Sequence, residues 1–172
     1  MQQPMQSPRL LIISHDVVGA SMAGPGIRYY HLARVLAQHV PTTLIAPEQT
    51  PPAALAQGPG AHEPFAQATY RRRQWASIAG FVAQADVCLF PSDIADEFPQ
   101  LANSAACLVV DGYDPLMAEW LALSGAAPAE ERRRAWQARM LALARQHQSG
   151  DFYLCASERQ RDWWLGLLEA AG

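Results

Sequence analysis

The sequence predicts an α/β fold: a Rossmann-like, doubly wound parallel sheet of about six or seven strands with helices on both faces. Three features of the 172 residues carry that expectation. Short apolar runs recur without polar alternation, the pattern of strands buried on both faces. Helical patterns separate them. The first run also leads through a glycine-studded loop into an amphipathic helix.

In order, the strands are expected at Leu10 to Ser14, Thr42 to Ala46, Val87 to Phe90, Cys107 to Asp111 and Phe152 to Ala156, with a weaker candidate near Phe65 to Tyr70. Each is too short for a helix and ends at a turn-forming or polar residue. After the first strand comes HDVVGASMAGPG, then a helix in which Ile27, Tyr30, the less well placed Leu32, Arg34 and Leu36 follow the loop and Tyr30, Ala33 and Ala37 continue one buried face. Pro41 stops it. The longest helix is expected from Pro128 to Gln148, with Glu130 and Glu131 at its start and Arg145 and His147 at its end, as the dipole prefers. Its Trp136, Met140 and Leu143 recur at helical spacing and read as core, and Gly150 is a C-terminal stop. Ser157 is the N-cap of a last helix that turns Trp164, Leu167 and Leu168 inward. The Pro/Gly-rich stretch from Pro47 to Gly60 reads as a surface loop, so the whole chain, residues 1–172, forms one domain.

Composition narrows the function classes. Half of the residues are hydrophobic and 17% are charged, which argues against disorder. The net charge of −3 gives no electrostatic case for nucleic acid. Two arginine runs, Arg71 to Arg73 and Arg132 to Arg134, read as solvated faces, the alternative being peripheral contact with anionic lipid or substrate. Cys88, Cys107 and Cys155 sit in apolar runs and are expected to pack as small hydrophobes. Their odd number and wide spacing argue against a disulfide framework and against a zinc site. The N-terminus lacks the apolar stretch of a signal peptide, and no run approaches the ~20 apolar residues of a membrane span. A reduced, cytoplasmic protein is expected.

The site is expected where the carboxyl ends of the parallel strands share a rim. His15 and Asp16 follow the first strand, Ser92 and Asp93 the Val87 strand, and Asp111, Tyr113 and Asp114 the Cys107 strand, while Ser157 and Glu158 follow the last. Several have structural alternatives: Ser157 and Asp93 as helix caps, Asp114-Pro115 as a cap with proline at the first helical position, Asp111 as a partner for turn N–H groups. Gly24 and Gly26 suit a phosphate cradle, with tight-turn geometry as the alternative. Neither a GxGxxG fingerprint nor a GxxxxGK[ST] loop is present, and GxSxG and HExxH are absent.

Read together, RLLIISHDVVGASMAGPGIRYYHLARVLA with TTLIAP, EFPQL with VVDGYDPLMAEW, and DFYLCASERQRDWWLGLLEAAG resemble the N-terminal domain of retaining, two-domain (GT-B) bacterial glycosyltransferases of group 1. The resemblance implies an acceptor-side half that moves a sugar from a nucleotide-diphosphate sugar to an unidentified acceptor once joined to a C-terminal donor-binding domain. It implies no cofactor beyond the donor substrate. Gly24 and Gly26, with Arg28 beside them, match the loop that approaches the donor diphosphate. Asp111, Tyr113, Asp114 and Ser157 are the remaining substrate-binding candidates. Other family members carry a functional histidine where this chain has Tyr113-Asp114, so no catalytic residue is assigned. The glutamate-bearing motif of the second half has no counterpart, and the domain alone is expected to be inactive.

Two other classes compete. A non-enzymatic, flavodoxin-like signalling or interaction domain would explain the acidic rim. A receiver-type version is disfavoured by the absence of any lysine and of an acidic pair after the first strand. A Rossmann oxidoreductase is disfavoured by the missing third glycine and by Ala46, where an acidic residue would close the second strand.

Overall fold

A computed structural model describes residues 7–19, 21–48, 63–91, 93–114 and 116–171. Six strands form one sheet: β1 (Leu10–Ile13), β2 (Thr42–Pro47), β3 (Ala66–Tyr70), β4 (Val87–Pro91), β5 (Cys107–Asp111) and β6 (Phe152–Leu154). All neighbours pair in parallel, in the order β3-β2-β1-β4-β5-β6. The helices are α1 (Gly24–Leu36), α2 (Ala79–Gln84), α3 (Ile94–Glu97), α4 (Leu116–Leu123), α5 (Ala129–Ser149) and α6 (Glu158–Ala171). The doubly wound α/β architecture expected from the sequence is therefore the observed one. Most of the expected Pro47 to Gly60 loop, and Pro115, fall outside the described residues.

Period-two geometry splits each strand between two cores. Leu11 and Ile13 of β1 face a cluster with Ile45, Tyr70, Phe90, Phe98 and Val110, which α2 and α3 cover through Val82 and Ile94. Leu10 and Ile12 face the opposite cluster, where Leu44 and Leu89 meet Tyr29, Tyr30 and Ala33 of α1. A third, smaller cluster joins α4, α5 and α6 through Met117, Leu143 and Trp164.

Local details differ from expectation for identifiable reasons. The buried stripe of α1 is Gly26, Tyr29, Tyr30 and Ala33, not the one starting at Ile27, which is exposed. Both stripes share Tyr30 and Ala33. The choice between them is set by Gly26, where a Cβ would lie 2.2 Å from the Val17 carbonyl oxygen. Helix α1 can approach the preceding loop that closely only at a glycine. Leu143 of α5 is core as expected, but Met140 is half-buried and Trp136 exposed, because Met140 lies at the edge of the small α4–α5–α6 cluster and Trp136 on the open wall of the cavity beside it. Cys88 is buried in the central strand, whereas Cys107 and Cys155 are exposed, one at the entry of β5 and one just past the edge strand β6.

Candidate functional site

Strand order reverses between β1 and β4, which both pair with neighbours leading away in opposite directions. The chain leaves the carboxyl ends of these two strands on opposite sides, toward α1 and α3, which is where open α/β sheets place their ligands. Around that rim the sequence builds a compact polar cluster.

The turn after β1 is self-contained. Ser14, fully buried, donates its hydroxyl to the Asp16 carbonyl (2.6 Å), and the Asp16 carboxylate accepts from the Val17 N–H (2.8 Å). The Ser14 carbonyl accepts from the buried Tyr70 hydroxyl at 2.9 Å, tying β3 to the same turn. This closure aligns His15, whose Nδ1 lies 3.0 Å from Asp93 Oδ1 but without the alignment of a directed hydrogen bond. Burial works against the charged imidazole, yet Asp93, with Asp114 and Asp16 further off, outweighs it and raises the ring's proton affinity above its ordinary level. Asp93 was a candidate helix cap. Its side chain makes no capping bond to α3 and faces His15 instead.

Beside this pair, Asp111 ends β5 with its side chain wholly buried. Arg28, from the first turns of α1, meets it in a two-pronged grip: Nε to Oδ2 at 2.7 Å and Nη2 to Oδ1 at 3.0 Å. The guanidinium also lies 4.4 Å from the centre of the Tyr113 ring. Asp111 thus answers a side-chain cation rather than the N–H groups of its own turn. Tyr29 stands between the two pairs, edge-on to both His15 and Tyr113 with ring centres 6.3 Å apart in each case. The Tyr29 and Tyr113 hydroxyls are buried and have no hydrogen-bond partner among the described residues. Burial, reinforced by Asp111, pushes the Tyr29 hydroxyl's pKa far up. Burial with Asp114 and Asp111 nearby brings Tyr113 to about 12, so both stay protonated donors at neutral pH.

The seven sequence candidates separate into groups. Arg28, Asp111 and Tyr113 are in direct contact. Asp114 lies within electrostatic reach of His15 and Asp93, with its own proton held more tightly through burial and the neighbouring Glu119. Gly24 opens α1, is exposed and has free space where a Cβ would be, while Gly26 is packed against the loop. Neither takes up the positive φ of a tight turn. Among the described residues no side chain caps α1, and since Pro25 has no N–H and the Ile27 N–H bonds the Ala23 carbonyl, the N–H groups of Gly24 and Gly26 are those left without an intrahelical acceptor. Ser157 caps α6, its hydroxyl accepting from the Gln160 N–H at 3.3 Å, and stands apart from the cluster. Gln160 links that helix to the rim by donating to the Tyr113 carbonyl (2.8 Å).

The arginine runs also divide. Arg133 and Arg134 pair with Glu130 on the exposed face of α5. Arg72, exposed, contacts Glu97 and donates to the His15 carbonyl, which brings one member of the first run to the rim. Tyr29 is the participant that the sequence reading passed over. Its signal was the position next to Arg28 on the true buried stripe of α1. Two cavities share lining residues with the rim: one of about 390 Å³ beside Asp93 and one of about 300 Å³ beside Asp114.

Among the described residues no group of three or more His, Cys, Asp or Glu side chains could hold a metal, and no helix is long and apolar enough to cross a membrane. The fold and the rim define a doubly wound α/β protein with a mixed-charge polar cluster at its strand-order switch. No family model matches the chain, and no curated protein matches it.

Proposed function

We propose that this chain is the acceptor-side domain of a glycosyltransferase that moves a sugar from a nucleotide-diphosphate sugar to an acceptor and needs a second, donor-binding domain to do so. The supporting observation is the uncapped start of α1 at the switch-point edge, with the Arg28 side chain still partly exposed one turn on. A departing nucleoside diphosphate carries concentrated negative charge. Fixed N–H donors and a guanidinium held in place by Asp111 suit that charge without reorganisation. His15, its Nδ1 beside Asp93, is the imidazole of the rim and the group there suited to exchange a proton with an acceptor hydroxyl. The reaction would run in the cytoplasm, where nucleotide sugars are the available donors, with peripheral membrane contact through the exposed arginines as an accessory.

The test is to express the reading frame including whatever follows Gly172 and incubate it with uridine, guanosine, adenosine and thymidine diphosphate sugars. Release of the free nucleoside diphosphate by the longer protein, and none by residues 1–172 alone, is expected. Turnover of no donor by the longer protein overturns the reading.

A further inference from the structure

The cavity of about 300 Å³ between α4, α5 and α6 has an unusual wall. Three indoles, Trp136, Trp163 and Trp164, line it together with Met117 and Leu121. Trp164 is fixed: its Nε1–H donates to the Gly112 carbonyl at 2.9 Å, and a Cβ on Gly112 would stand 2.4 Å from the indole. Gly112 is therefore required for the back wall to exist. Trp136 and Trp163 are exposed, and a flat hydrocarbon surface would remove their faces from water. Flat π surfaces and a polarisable thioether favour flat, apolar ring systems.

The polar groups restrict the ligand further. Gln160 lines the cavity, with one bond made at each end of its amide, accepting from the Ala156 N–H (2.7 Å) and donating to the Tyr113 carbonyl (2.8 Å), which leaves at most one further N–H and one lone pair. Asp114 and Arg159 are the other polar side chains of the wall. A sugar ring would leave most of its hydroxyls without partners there, at a cost for each. A phosphate would meet Arg159 but also the Asp114 carboxylate, so the wall offers it no net positive charge. A ring system with a single hydroxyl satisfies both the apolar wall and its one carboxylate acceptor, Asp114.

We propose that this cavity binds an uncharged aromatic or fused-ring molecule bearing one hydroxyl, with its rings against Trp136 and Trp163 and the hydroxyl donating to Asp114. Asp114 also feels the charges of His15 and Asp93, so the hydroxyl end of the ligand faces the polar rim. Taken with the glycosyltransferase reading, on which this last step rests, the bound molecule is the sugar acceptor.

Naphthol serves as the probe, titrated calorimetrically into residues 1–172 without any nucleotide sugar. Saturable one-to-one binding is expected, about fivefold tighter than methoxynaphthalene, which cannot donate to Asp114. Trp163→Ala should weaken naphthol about tenfold and Trp163→Phe should restore most of the loss. Trp163 is on the surface, and circular dichroism establishes that both variants are folded. Absence of naphthol binding, equal affinity for methoxynaphthalene, or tighter binding of methyl glucoside each overturns the proposal. So does a dimer by sedimentation that Trp163→Ala dissociates, because a second copy would then be the occupant. Binding here is read apart from transfer, so failure of donor turnover in the longer protein leaves this result standing, and the reverse holds too.

Discussion

Arg28 and Asp111 join the first turns of α1 to the end of β5 through two parallel N–H···O bonds of 2.7 and 3.0 Å. The two ends of this bridge are unequal. The Asp111 side chain is 0% exposed and the Arg28 side chain 31%. Deleting the arginine strands a buried carboxylate, whereas deleting the carboxylate lets the guanidinium turn partly to water. Arg28→Ala should therefore cost about 3 kcal/mol of unfolding free energy and Asp111→Ala clearly less. Urea denaturation of both variants checks the order, and a larger loss for Asp111→Ala would show that the carboxylate holds more than Arg28.

Most of the fold could be read from the chain because every strand except β3 is built on a continuous apolar run. Such a run has one meaning in a sheet covered on both sides, and Val87–Pro91 or Cys107–Asp111 need no tertiary knowledge to be found. The α1 stripe was harder, since Tyr30 and Ala33 fit two faces and a contact with the Val17 carbonyl, invisible in sequence, decides between them. Exposure of Trp136 likewise depends on how little of α5 the other elements cover. At the rim, positions after the strands foretold that His15, Asp93, Asp111, Tyr113 and Asp114 gather, whereas Arg28, which pairs with Asp111, entered only through the family resemblance. Pairing did not follow from position: Asp93 had a local role open to it as a cap, and its choice of His15 depends on β1 and β4 being adjacent.

The two glycines at the start of α1 separate packing from access. At Gly26 a methyl group would fall 2.2 Å from a backbone oxygen and 2.9 Å from the Met22 Cβ, and neither can swing aside. Gly26→Ala should lower stability by about 2–3 kcal/mol. At Gly24 nothing lies within 4 Å, so Gly24→Ala should gain about 0.5 kcal/mol by stiffening the unfolded chain. Thermal unfolding of the pair is sufficient. Equal effects would mean that the loop before α1 can yield, and that Gly26 is not what sets the helix face.

The His15–Asp93 contact makes a prediction about pH. The folded protein holds the imidazole proton more tightly than the ordinary value of 6.5, since Asp93, Asp114 and Asp16 together overcome the burial that opposes it. A histidine whose proton affinity rises on folding stabilises the fold fully below pH 6.5. That contribution fades as pH climbs through the folded value. Asp93→Asn removes the nearest carboxylate while leaving the burial, so the His15 ring should titrate at lower pH than in the parent protein. The stability lost in the variant should be of the order of 1 kcal/mol in mildly acid solution and shrink toward zero in alkaline solution. Proton NMR of the imidazole Cε1–H, assigned with His15→Gln, follows the titration directly, and urea midpoints across the same pH range follow the stability. A His15 titration unmoved by Asp93→Asn would mean that the more distant Asp114 and Asp16, rather than the 3.0 Å neighbour, set the charge of the ring.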